Sequence, residues 1–184
     1  ELISGLANPG PALLQQMQSF AMLKSRQLQQ DPTLTTAELA RLNQPRLPYN
    51  LDAWDGYPAE REQLYAMFRQ LKKKLVVLAG DTHNAWTSAL TDIKGQSVGV
   101  EFATPSVSSP GLESYLQLNE NQSKQLAQLL PLLIDELEQC DVRQRGFIEL
   151  TFTPQQVNCQ WYFVSSIVQP EFALQTGFSR SYQG

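Results

Sequence analysis

The sequence predicts a layered α/β (α+β) chain in which a mixed β-sheet is flanked by helices, and three observations carry that prediction. One short unbroken apolar run, Leu75–Ala79, has the length of a buried strand rather than a buried helix, and its Val76-Val77 pair favours the pleated backbone. Two pairs of strand-like runs are joined by turn residues and read as hairpins. Apolar residues at helical spacing recur before and between them, with no repeated βαβ period.

The elements follow in order. Leu13, Leu14, Met17, Phe20, Ala21 and Leu23 have helical spacing, and Pro11 fits a first turn. Thr35-Thr36-Ala37-Glu38 is a capping box that opens a short helix through Leu42. From Asn43 to Pro58 the chain is loop-like, and Pro58 starts the next helix, with Leu64, Phe68 and Leu71 on one face. The strand Leu75–Ala79 comes next. Thr87–Thr91 and Ser97–Ala103 form a hairpin across Lys94-Gly95-Gln96, and a Ser/Pro/Gly-rich loop runs from Thr104 to Gly111. Leu126, Leu129, Leu130, Leu133 and Leu137 predict one amphipathic helix over Asn121–Gln139, with Pro131 kinking it or starting a second helix. Gly146–Phe152 and Asn158–Val168 make the clearest hairpin, across Thr153-Pro154-Gln155-Gln156. A domain over residues 1–175 and a polar tail over 176–184 are expected.

Composition narrows the function. With 42% hydrophobic and 17% charged residues, the chain is globular and large enough for a core. A net charge of −4 argues against a nucleic-acid partner, which needs clustered Lys and Arg. The one basic cluster, Lys72–Lys74, leads into the apolar strand and reads as a solvated helix end. No apolar run reaches the roughly 18–20 residues that cross a bilayer. The chain starts at Glu1, so a processed or truncated product is expected, with any export signal upstream. Cys140 and Cys159 lie 19 residues apart and read either as two buried thiols or as one disulfide of an exported protein.

The chemistry concentrates around His83, the single histidine, in Leu78-Ala79-Gly80-Asp81-Thr82-His83-Asn84. Ligands in α/β proteins gather at the carboxyl ends of strands. A carboxylate and an imidazole two residues apart on such a loop can face one ion; the same spacing also suits a plain strand-to-turn with a capping Asp. No Gly-x-Ser-x-Gly elbow or Gly-rich phosphate loop occurs.

The segment Leu75 to Trp86 resembles the strand–G-D-x-H–x-x-W segment of PhoD-like metallophosphatases. Tyr49-Asn50-Leu51-Asp52-Ala53-Trp54-Asp55-Gly56-Tyr57-Pro58-Ala59-Glu60-Arg61 is similar to that family's N-x-D-x-W-D-G-Y-P-x-x-R stretch. Gly99-Val100-Glu101-Phe102 with Thr104, Ser106, Ser108, Ser109 and Gly111, and Arg145-Gly146-Phe147, resemble its later segments. The four stand in the family's order.

The resemblance implies the C-terminal part of a calcineurin-like sandwich of two mixed sheets. It also implies phosphate mono- or diester hydrolysis at a multinuclear centre, with iron and calcium as the metals and export from a bacterial cell. Carried over by residue, His83 and Asp81 become metal ligands. Asn84 reads as an orienting residue or as a turn-former, and Trp86 as core or as pocket wall. Trp54, Asp55, Tyr57 and Arg61 read as a substrate-binding group, Arg61 taking phosphate oxygens; or as a loop anchored by its aromatics, with Asp55 and Arg61 paired locally. Glu101 faces the site or is an ordinary strand Glu.

The family's earlier ligand segments, of D-x-C/H, G-D-x-x-Y/D and N-D/H type, do not occur, and neither cysteine matches a ligand position. Catalytic centres usually have three or more protein ligands. The chain alone is therefore expected to be inactive, needing the missing N-terminal part of its catalytic domain. A non-catalytic binding or structural module is the competing expectation. Half a sandwich is further expected to expose an apolar sheet face and to self-associate.

Overall fold

A computed structural model describes residues 11–45 and 51–183. Pro9, and Tyr49 and Asn50 of the Trp54 motif, lie outside the described residues.

Helix α1 (Pro11–Leu28) begins at the proline that the sequence marked. Leu13, Leu14, Met17 and Ala21 are its buried apolar residues. Helix α2 (Thr36–Leu42) opens on the predicted capping box, with Thr35 and Glu38 each satisfying the other's backbone N–H. A single 3₁₀ turn (Trp54–Gly56) leads into α3 (Pro58–Gln70). Strands β1 (Leu75–Ala79), β2 (Ala85–Thr91) and β3 (Ser97–Ala103) follow. In the β2–β3 turn the Asp92 carboxylate accepts from the N–H groups of Lys94 (2.9 Å) and Gln96 (2.8 Å), and Gly95 takes φ of 74°. The solvated reading of Lys72–Lys74 holds, since all three are exposed.

A short helix α4 (Leu112–Tyr115) precedes α5 (Glu120–Leu133). Here the single helix expected over Asn121–Gln139 is corrected. It stops at Leu133, and Leu137–Asp141 is a strand, β4. Pro131 neither starts a second helix nor leaves a carbonyl bare. Its missing N–H would have bonded Ala127, whose carbonyl instead accepts from the Cys140 thiol on β4 at 3.3 Å. Leu137 kept the helical spacing only because it shares a core with Leu126 and Leu130.

The hairpin β5 (Gly146–Phe152) and β6 (Gln156–Val164) stands, with its second strand starting at Gln156 and ending at Val164 rather than running from Asn158 to Val168. The polar tail expected over 176–184 does not: Leu174–Gln183 is a ten-residue strand, β7, antiparallel to β6. Phe178 and Tyr182 pack into the core from it, and Arg180 forks onto Glu138 of β4 at 2.6 and 2.8 Å.

The chain holds two sheets. One is mixed, in the order β1-β3-β2-β4, with β1 parallel to β3 and the other pairs antiparallel; the second is β5-β6-β7. Their inner faces meet through Ala85, Val100 and Phe102 on one side and Val157, Cys159, Trp161 and Phe163 on the other. Trp161 is fully buried, edge-on to Phe102 and stacked on Phe178. Its indole N–H donates to the Ala103 carbonyl at 3.0 Å. The expected bare sheet face is thus corrected, because each of these sheets covers the other. Cys140 and Cys159 are free thiols, both pushed up to about 12 by burial, Cys140 with a smaller contribution from Asp141.

Candidate metal-ligand loop and its surroundings

Strands β1 and β3 run parallel and end together, with the Thr104 N–H donating to the Ala79 carbonyl at 2.9 Å. Beyond that point the 80–84 loop and the 104–113 loop lie side by side. The Thr82 N–H bonds the Gly80 carbonyl at 2.7 Å, closing a γ-turn whose central residue, Asp81, has φ of 65°. Turns of this hand are the rare, strained kind. His83 also has a positive φ, 60°. The strain therefore falls on the two sequence-predicted ligands and not on Gly80. A non-glycine residue held there persists only where its surroundings over-determine it, which is common at functional sites.

Asn84 is the residue that over-determines it. The residue is 3% exposed. Nδ2 donates to the Thr82 carbonyl at 2.5 Å, and Oδ1 accepts from the Leu112 N–H at 3.1 Å, joining one loop to the other. Gly111 makes room, since a Cβ there would come within 2.6 Å of Asn84 Oδ1 and 3.0 Å of the Val142 carbonyl. Arg145, nearly buried, pairs with Glu113 and the Arg143 carbonyl, and the Gly146 N–H bonds the Ser106 carbonyl at 3.0 Å. Ser106 Oγ accepts from the N–H groups of Ser108 (3.2 Å) and Ser109 (2.7 Å).

His83 Nδ1 lies 2.9 Å from the Pro110 carbonyl. A carbonyl only accepts, so Nδ1 carries a proton, and in the neutral ring the lone pair is then on Nε2. Among the described residues no hydrogen bond or ion pair holds the exposed Asp81 carboxylate. No group of three or more His, Cys, Asp and Glu is assembled among the described residues.

Trp54, Asp55, Tyr57 and Arg61 form a separate group. Tyr65 is buried, and burial raises its phenol above the usual range, with the Trp54 indole opposing the rise. Tyr57 Oη donates to Asp52 at 3.0 Å, and Arg61 pairs with Asp55 at 2.6 Å. Glu101, in the middle of β3 between Val77 and Ser88, lies on this side. Burial first, then the charges of Asp55 and Glu136, raise its carboxyl above the usual carboxylate range. Among the described residues no hydrogen bond or ion pair joins this group to Asp81 or His83. Trp86 is half-buried and packs against the core under α5.

Sequence reasoning placed Asp81, His83 and Asn84 on one loop but missed the Pro110 carbonyl, Glu113 and any role for Arg145. The Arg145-Gly146-Phe147 motif was the available signal. A backbone carbonyl leaves none.

The sequence and these contacts meet in the comparisons. The model of the PhoD-like phosphatase family matches residues 13–161. This chain belongs to the PhoD-like phosphatase family. It is 29% identical over 140 residues to alkaline phosphatase D of Bacillus subtilis (strain 168), a match covering 73% of this chain and 23% of that protein. A solved structure, described as the structure of PhoD, superposes with a TM-score of 0.55 at 26% identity, covering 73% of this chain and 25% of that one. The chain thus spans about a quarter of the length of the PhoD relatives it matches.

Proposed function

We propose that this chain is part of a metal-dependent phosphoric ester hydrolase of the alkaline phosphatase/phosphodiesterase kind, to which it contributes Asp81 and His83 as metal ligands. One observation carries the reading. The Pro110 carbonyl accepts from His83 Nδ1 and so selects the neutral tautomer whose lone pair is on Nε2, the second contact typical of a metal-binding histidine. An exposed carboxylate without a partner among the described residues sits two positions away on the same strained loop. A carboxylate with an imidazole suits hard or borderline ions, which fits calcium and iron as the set expected from the family.

A metal held there would polarise phosphoryl oxygens and activate the attacking water. The chain's own residues hold and aim the donors. Asn84 clamps the loop, Pro110 holds the imidazole proton at Nδ1, and Arg145 with Glu113 fixes the neighbouring loop. Two donors fall short of a catalytic set, so the remaining ligands come from the rest of the catalytic domain and residues 1–184 alone do not turn over. In this reading Trp54, Asp55, Tyr57 and Arg61 support the domain from the α3 side, and Arg61 reaches a phosphate only after releasing Asp55.

The test is a chimera: alkaline phosphatase D of Bacillus subtilis with its matching segment replaced by this chain. Hydrolysis of a chromogenic phosphodiester and of a monoester is measured with bound metal. His83→Ala is expected to lower both rates at least about a hundredfold and to release metal, since even contacts behind a ligand carry 10–100-fold effects. Unchanged rate and metal content in the His83→Ala chimera would remove His83 from the centre and favour a non-catalytic module.

A further inference from the structure

Arg145 immediately precedes β5 and is 8% exposed, which is rare for an arginine. Its guanidinium forks onto Glu113 Oε1 and the Arg143 carbonyl, and the Glu113 side chain is 15% exposed. Arg145 Nε and Glu113 Oε2 are buried with no hydrogen-bond partner among the described residues. A nearly buried ion pair with such loose ends adds little stability. Desolvation of the two charges consumes what their attraction returns, and an apolar pair of similar volume holds as well. What the pair does supply is direction, because a planar fork accepts only one geometry. Its ties bracket a single loop. The next residue's N–H, that of Gly146, bonds the Ser106 carbonyl at 3.0 Å and fixes the start of the loop. Glu113, whose own N–H bonds the Val142 carbonyl at 3.3 Å, fixes the end. The Arg145 carbonyl in turn accepts from the Val164 N–H at 2.8 Å, which anchors both ties to β6. Between them stands Pro110, whose carbonyl holds His83 Nδ1 at 2.9 Å. Glu113 Oε2 and Asn84 Oδ1 also close on Gly111, where a Cβ would come within 2.9 and 2.6 Å of them. The two clamps thus meet at the residue after Pro110.

We propose, resting on the hydrolase reading above, that Arg145 is a positioning residue for His83: with Glu113 it holds the Pro110 carbonyl where that carbonyl selects the Nδ1–H form of the imidazole and leaves Nε2 open to an ion. Arg145 touches neither ion nor substrate in this role and acts through the 106–113 loop. Once the carbonyl is released, the neutral imidazole is free to carry its proton on either nitrogen. A ring protonated on Nε2 has no lone pair to offer there. Lysine at 145 would keep the charge but not the fork, and so could not hold Glu113 and the Arg143 carbonyl in one plane. An ion pair with a purely structural role would behave differently, since its loss would lower stability and leave the His83 proton in place.

Nitrogen-15 NMR of the 184-residue chain, with a zinc titration followed at His83 Nε2, tests this on Arg145→Gln, Arg145→Lys and Glu113→Gln. The control is Leu90→Ala, which opens a cavity in the separate core beneath α3. Arg145→Gln is expected to move a large share of the His83 proton from Nδ1 to Nε2. It should also weaken zinc binding about ten- to a hundredfold, the loss usual for a contact behind a ligand. Arg145→Lys should rescue neither. Glu113→Gln keeps the volume and one acceptor but removes the charge, and should shift both readouts the same way by a smaller factor. Leu90→Ala should unfold at a lower urea concentration than the wild type and leave both readouts unchanged. An unchanged proton position and zinc affinity in folded Arg145→Gln overturns the proposal and leaves the hydrolase reading standing, provided the wild type binds zinc through Nε2. If Arg145→Gln does not fold, the same result in Glu113→Gln overturns it. A displaced proton in the variants of a chain that takes no zinc does the reverse, keeping the positioning role and removing the ligand role. An equal displacement in Leu90→Ala shows that any loosening of the fold moves the proton, and it too overturns the proposal.

Discussion

The two polar groups that the sequence singled out are built in opposite ways. Around Trp54–Arg61 Tyr57 is partnered with Asp52 and Arg61 with Asp55, although Arg61 Nε is buried without a hydrogen-bond partner. At the end of β1 the backbone is held in left-handed conformations at Asp81 and His83, yet their outward atoms are left open. A region that satisfies its own polar groups is doing structural work. A region that holds strain and presents unpaired donors is arranged for something that comes from outside. The difference teaches that the two motifs are held differently: one mostly by side-chain pairs within itself, the other by a backbone whose outward atoms stay open.

The largest expected effect that breaks this contrast is loss of the clamp. Asn84→Ala removes the buried side chain that partners the Leu112 N–H and the Thr82 carbonyl through two part-buried bonds, each group left unpaired costing about 1–2 kcal/mol. A drop of roughly 2–4 kcal/mol in urea unfolding is expected, with the left-handed residues free to relax. A change within about 0.5 kcal/mol would show that the loop holds its shape without Asn84.

Removing the strain should work in the other direction. Asp81→Gly takes away the side chain that disfavours φ of 65°, and stability should rise by about 1 kcal/mol while metal binding falls. Loss of stability on this substitution would mean that the Asp81 carboxylate has a structural partner.

Glu101 sharpens the contrast through pH. Its carboxyl is raised, chiefly by burial, so the folded state holds this proton more tightly than the unfolded chain does. The stability it contributes is complete below the unfolded pKa and is lost as pH rises through the folded one. Glu101→Gln should therefore flatten the loss of stability across that window and leave the protein more stable at neutral pH; a steeper decline in the variant would contradict the burial account. The smallest effect belongs to the self-satisfied group. Tyr57→Phe breaks one exposed hydrogen bond and should lower thermal stability by no more than about 1 kcal/mol, without touching metal affinity.

Much of the fold was legible because local signals agreed with the final packing. The run Leu75–Ala79, the Thr35–Glu38 box, the Asp92–Gln96 turn and the β5–β6 hairpin each carry their own pattern. Two strands were not legible. In β4 the residues Leu137 and Cys140 belong to a core shared with α5, so the helical spacing ran on past the end of the helix. In β7 only Phe178 and Tyr182 reach the core, four residues apart among polar neighbours, and Gly177 is there because a Cβ would come within 2.4 Å of the Phe163 ring. Of the candidate site, the ligand types and their spacing could be read, since they follow one another on the chain. The Pro110 carbonyl could not, because it comes from a loop 27 residues away.

The single histidine makes the central claim directly measurable. Nitrogen-15 NMR of the 184-residue chain at about pH 8 reads the tautomer and the ligation of one imidazole, and zinc serves as a diamagnetic probe ion. The account predicts a proton on Nδ1, an unprotonated Nε2, and a shift of Nε2 alone on adding zinc, abolished by Asp81→Ala. A proton on Nε2, with neither nitrogen responding to zinc, would contradict it.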